Sequence, residues 1–177
     1  MRGSYLFLAL TAGLAACNMS SDGQPEVTPA AVNFGADQAN LAHGAQAAQA
    51  CLEDMPDIKA TKQALRAHGF SYREGTSSIE LYATQDWGVT AQLQSGNVPN
   101  WICAVTVEAM TPGEAVALAQ PWVKAIGGAR ISDSTKGVVD VWRGATADYD
   151  AVVVVYDKDW RPKIDGATIK LELRNKN

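Results

Sequence analysis

The chain has 177 residues, 47% of them hydrophobic, with 15 Lys and Arg against 19 Asp and Glu and a formal net charge of −4. That length and apolar content support one domain with a real core. The acidic balance argues against nucleic acid, which calls for basic patches, and offers no polybasic attraction to anionic lipid.

The first segment is a leader. Arg2 is followed by an apolar run from Tyr5 to Leu14. The run is too short to span a membrane, which takes about 20 apolar residues, and has the length of a signal-peptide core. It closes on Leu14-Ala15-Ala16-Cys17. These four residues resemble the lipobox of bacterial lipoproteins, in which a diacylglycerol is attached to the cysteine and the leader is cut off just before it. The resemblance implies a signal peptide over 1–16, lipidation at Cys17 and membrane lipid as the first partner. Two acyl chains are what stable anchoring requires. It also implies the bacterial cell envelope, facing the periplasm. Asn18 leans toward the outer membrane, because in enteric bacteria an Asp there resembles an inner-membrane retention signal. Arg2 is the one charged residue of the leader, so its removal takes the charge from −4 to −5.

Residues 17–35 are polar, with two Pro and two Gly and no apolar period. They read as a flexible tether, and a single domain is expected over 36–177. Residues 37–53 are rich in Ala and Gln and favour helix, with Gly44 a weak point. Leu41, Ala45, Ala48 and Leu52 form a narrow apolar stripe at helical spacing. Pro56 ends that helix. Asp57 suits the N-cap of a second over 58–68, with Gly69 as its stop and Ile58, Ala64 and Leu65 facing inward.

Residues 78–83 and 87–93 alternate polar and apolar, as half-buried strands do. A turn at 95–97 leads to a third strand over 101–107. Thr111-Pro112-Gly113-Glu114 carries an N-cap, a Pro at N1 and the Glu of a capping box. Pro121 lies too deep for a first turn, which predicts a kink or break near Gln120. The helix then resumes through Trp122, Val123 and Ile126 and stops at Gly127-Gly128. Three further strands fall near 137–143, 151–156 and 167–173. The run 151–156 is apolar on both faces, as in a doubly covered strand or the edge of a packed interface.

The class is α+β, with helices packed on antiparallel sheet or sheets. The two halves, 36–110 and 111–177, look alike: a Pro-broken helical segment, a glycine stop, then three strands. Gly69 and Gly127 correspond, and Trp87 with Trp142 and Trp101 with Trp160 fall at comparable places. This helix-helix-three-strand order resembles small envelope lipoproteins such as the smallest barrel-assembly lipoproteins. It also resembles tandem β-lactamase-inhibitor-protein-like repeats. The resemblance covers about 37–173 in element order and carries no motif.

Once Cys17 takes the lipid, Cys51 and Cys103 remain, and an even pair in an oxidising compartment reads as a disulfide. A redox pair would want a CxxC spacing, and two cysteines with two distant histidines make a poor zinc site. No catalytic motif stands out and no metal or cofactor is expected. His68 suits a helix C-terminus. Asp157 and Asp159 invite a calcium reading that Arg161 and Pro162 break. Glu53, Asp54 and Asp57 fit a solvated helix junction. A hydrolase would have to gather His68, an acid and a nucleophile such as Ser71.

Five tryptophans are many for this length. Packing explains most of them. Trp101, Trp160 and Arg161, beside Pro in loops, are the candidate binding surface, since Trp and Arg lead binding hot spots. The expected function is a protein-interaction or envelope-accessory lipoprotein, not an enzyme, with an envelope protein as partner. A purely structural lipoprotein and a tethered hydrolase are the alternatives.

Overall fold

The computed structural model describes residues 35–95, 100–158 and 164–176. The leader, Cys17, the tether up to residue 34, Trp160 and Arg161 lie outside the described residues. Helix α1 (Gln38–Asp54) starts where the Asp37 carboxylate accepts the Ala39 N–H at 2.7 Å. Helix α2 (Ile58–Ala67) starts where Asp57 accepts the N–H groups of Lys59 and Ala60. In both cases an acidic N-cap satisfies donors that a first turn leaves orphaned. Four strands follow: β1 (Ser71–Gly75), β2 (Ile79–Ala83), β3 (Val89–Gln94) and β4 (Asn100–Val107). Helix α3 (Pro112–Ala125) opens on a complete capping box between Thr111 and Glu114. Then come β5 (Ala129–Ile131), β6 (Val138–Ala145), β7 (Tyr149–Tyr156) and β8 (Thr168–Asn175).

The eight strands form one antiparallel sheet in the order β1-β2-β3-β4-β8-β7-β6-β5. The last strand of each half meets the other at the centre, Cys103 opposite Leu171 and Val105 opposite Ile169. Each half thus contributes four strands, not three. The added ones are the outer strands: β1 is mostly exposed, and β5 has three residues, too few to show a period. The second half holds one helix. Pro121 sits inside α3, which runs unbroken past Gln120, so of the kink or break expected there the break does not occur. A proline removes a single helical donor here, toward Ala117, which is exposed, so water can meet the freed carbonyl. Gly69 (φ +85°) and Gly127 (φ +60°) stop their helices in the left-handed conformation, at equivalent places before β1 and β5. The tryptophans do not correspond in this way: Trp87 lies in the β2–β3 turn, Trp142 within β6.

All three helices lie on one side of the sheet. There Leu93, Cys103, Val105, Val153, Ile169 and Leu171 pack against Ala47, Ala48, Cys51, Leu65, Trp122 and Val123. The buried face of α1 is Gly44, Ala47, Ala48, Ala50 and Cys51. It is rotated from the Leu41/Ala45/Ala48/Leu52 stripe: Ala45 is exposed and the two leucines are half-buried. Small residues won because the helix lies very close to the sheet. A Cβ on Gly44 would stand 2.5 Å from Val107 Cγ2. Cys51 and Cys103, both fully buried, form the expected disulfide and pin α1 to β4. Trp122 ties α3 to α1 by donating its indole N–H to the Ala48 carbonyl at 2.7 Å.

Candidate functional site

A strand sends alternate side chains to opposite faces. Since Ala91 and Leu93 join the helix-side core, Thr90, Gln92 and Gln94 point the other way. By the same rule, Ile102, Ala104 and Thr106 of β4, and Thr168, Lys170, Glu172 and Arg174 of β8, share that second face with Val152, Val154 and Tyr156 of β7. Six buried hydrophobic residues stand outside the main core: Leu81, Ala83, Ile102, Ala104, Val141 and Val154. All six lie on this helix-free face. They form two apolar patches, one on β2–β4 and one on β6–β7, with β8 between them.

The dividing strand is polar. Glu172, buried to 8% exposure, accepts from Asn100 Nδ2 at 2.8 Å and from Arg174 Nη2 at 2.6 Å, with Lys170 Nζ at 3.4 Å. Lys170 also stands over the Tyr156 ring, 5.6 Å from its centroid. One step along, the Thr106 and Thr168 hydroxyls bond at 2.7 Å. A recess of about 580 Å³ opens over β6–β8, with Val141, Arg143, Val154, Tyr156, Lys170 and Arg174 among its walls. Arg143 is exposed and makes no ion pair among the described residues. Gln92, at 7% exposure, has an Nε2 group with no hydrogen-bond partner.

A second feature lies at the β2–β3 turn. Trp87 is 37% exposed and takes φ +65°, a strained value for an aromatic residue. The Arg73 guanidinium covers its ring at 5.2 Å. Asp86 holds the turn by accepting from the Thr84 hydroxyl at 2.7 Å and the Gly88 N–H at 3.1 Å; the first of these bonds leads in holding its carboxyl below the usual range.

Of the residues singled out in the sequence, Trp101 is half-buried and packs against the helix-side core, the packing role rather than a free loop tip. Trp160 and Arg161, with Asp159, lie outside the described residues. His43 meets Phe70 edge to face, and His68 is the exposed C-cap of α2. No hydrogen bond joins His68 to Ser71 among the described residues. Asp57 is spent as an N-cap, and Glu53 accepts from Gln49. Among the described residues no group of three His, Cys, Asp or Glu could hold a metal ion, and no helix is long and apolar enough to cross a membrane.

Of the helix-free face, only the two-sided apolar run 151–156 was read from sequence; the rest was missed because Thr90, Gln92, Lys170 and Glu172 are what any solvent-facing strand positions carry. The available signal was the apolar content at the same parity: Leu81, Ile102, Val141 and Val154. Comparisons with protein-family models, with curated proteins and with solved structures find no match.

Proposed function

We propose that the chain is a membrane-anchored lipoprotein of the bacterial envelope, held through Cys17, whose domain faces the periplasm and binds another envelope protein. It acts by contact and not by catalysis. The lipobox-like Leu14-Ala15-Ala16-Cys17 supports the anchor. The helix-free face supports the binding role: the open recess of about 580 Å³ over β6–β8, with Val152, Tyr156, Arg143, Lys170 and Arg174 among its walls, offers the mixed apolar and charged chemistry of a protein interface. That face replaces the Trp101, Trp160 and Arg161 surface as the leading site, because Trp101 is engaged with the core.

The test has two arms. Mass spectrometry of the N-terminal peptide should find a diacylglycerol on Cys17, lost in Cys17→Ser. The solubilised protein should capture a partner from envelope membranes, and an Arg143→Glu variant, altered at an exposed wall of the recess, should lose it while keeping its circular dichroism. An unmodified Cys17 would remove the anchor. Capture indifferent to Arg143→Glu would move the interface elsewhere.

A further inference from the structure

Packing accounts for Trp122 and Trp142, which are buried, but not for Trp87. Its indole is 37% exposed, and its backbone sits at φ +65°, where glycine would be free of strain. The turn holds it there. The Trp87 N–H donates to the Thr84 carbonyl at 3.2 Å, and Asp86 accepts from both the Thr84 hydroxyl and the Gly88 N–H. Arg73 stands over the ring and donates Nη2 to the same Thr84 carbonyl at 2.7 Å. A rigid, exposed indole results. It lies where the chain enters the domain. The side chain of Asn40, in the first turn of α1, packs on the Gly88 backbone, so close that a Cβ there would stand 2.5 Å from it. The described chain begins just before α1, at Gly35, and residues 18–34 join that point to Cys17. The Trp87 turn therefore borders the part of the domain joined most directly to a lipid on Cys17.

We propose that the Trp87 turn rests on the membrane surface, with its indole among zwitterionic lipid headgroups. Tryptophan suits that depth because its ring is apolar and its N–H is polar. A tether makes the contact intramolecular, so one aromatic side chain is enough to bias the orientation of the domain. Asp86 and Glu108 adjoin the turn, Glu108 through its N–H to the Gly88 carbonyl at 2.8 Å, with Arg73 as the cation beside them. That charge favours zwitterionic over anionic headgroups. A protein partner also suits an exposed tryptophan; the place of the turn, where the tether joins, favours the membrane. Tyr72 is exposed too, but its hydroxyl leans along β1 toward Gly75 and its ring meets Tyr82 edge to face, so it takes no part. The proposal rests on the Cys17 anchor and adds an orientation. It leaves the β6–β8 recess, in the other half of the sheet, open to the partner.

In the experiment, the chain from residue 17 onward is coupled through the Cys17 thiol to a maleimide lipid in phosphatidylcholine vesicles. Cys51 and Cys103, paired in the disulfide, do not compete. Lipids brominated just below the headgroup quench a tryptophan that enters the interface, and the emission of wild type minus that of Trp87→Gly isolates Trp87. The expected result is Trp87 emission quenched by the brominated lipid and sheltered from aqueous acrylamide. Tyr72→Ser should leave the quenching unchanged, and added phosphatidylglycerol should weaken it. Trp87→Gly should keep or raise the melting temperature, because glycine takes positive φ without strain. Lost contact is then separate from lost fold. The proposal is overturned if Trp87 emission ignores the brominated lipid, if phosphatidylglycerol strengthens the quenching, or if Trp87 is sheltered from acrylamide only once envelope proteins are added. Mass spectrometry of the native chain separates the two readings. An unmodified Cys17 overturns the anchor and this proposal with it, whereas a lipidated Cys17 with an unquenched Trp87 overturns this proposal alone.

Discussion

Trp122 on α3 donates its indole N–H to the carbonyl oxygen of Ala48 on α1, 2.7 Å away, with the indole fully buried. This bond joins the helical layers of the two halves as β4 and β8 join their strands. Replacing Trp122 with Phe removes the donor and leaves a void. A loss of about 2–3 kcal/mol in chemical denaturation is expected. An unchanged midpoint would mean the helical layers are held by other contacts.

The Cys51–Cys103 disulfide closes a separation of 52 residues. By chain entropy such a crosslink contributes about 4 kcal/mol. A Cys51→Ala, Cys103→Ala double variant should be less stable by roughly that amount. Because both sulfurs are buried, a mild thiol reductant should act on the native protein only as fast as it opens.

Gly44 is needed for proximity rather than for backbone freedom. In a helix interior, Gly→Ala ordinarily gains about 1 kcal/mol. Here the added methyl would meet the stiff, β-branched Val107 at 2.5 Å. Overpacking of this kind costs about 1–3 kcal/mol, so Gly44→Ala should be net destabilising. The same substitution in a Val107→Ala background should be milder, a coupling that a double-mutant cycle reads directly.

The capping box predicts a pH dependence. The Glu114 carboxylate accepts the Thr111 N–H at 2.8 Å, the Thr111 hydroxyl at 2.9 Å and the Ala36 N–H at 3.4 Å. The first of these leads in holding its carboxyl below the ordinary glutamate range. A carboxyl depressed in the folded state stabilises above its unfolded pKa, and the contribution is lost as pH falls through the folded value. The melting-temperature gap between wild type and Glu114→Gln should therefore be full near pH 7 and close steadily below about pH 4.5. A gap independent of pH would mean that the charged carboxylate is not what holds the cap.

What was legible in the chain was local. Asp57 and the Thr111/Glu114 pair start the two helices they were read to start, because an N-cap is decided within four residues. Alternation located β2 and β3, and strand-like runs located β4 and β6–β8. What was not legible depends on distant partners. β1 and β5 become strands by pairing with β2 and β6, and Ser71–Gly75 shows no buried period of its own. The meeting of β4 with β8, which makes one sheet of two halves, links residues such as Thr106 and Thr168 that are 62 positions apart. The helix-free face follows from that meeting. Glu172 reads as a surface residue until β4 brings Asn100 beside it.

The most direct test of the account is site-specific photo-crosslinking in the cells that make the protein. A crosslinking side chain is placed at Arg143 or Tyr156 on the helix-free face, and at Gln46 or Lys124 on the exposed side of the helices. The account predicts one discrete protein adduct from the first pair and none from the second. Adducts confined to the helical positions would contradict it.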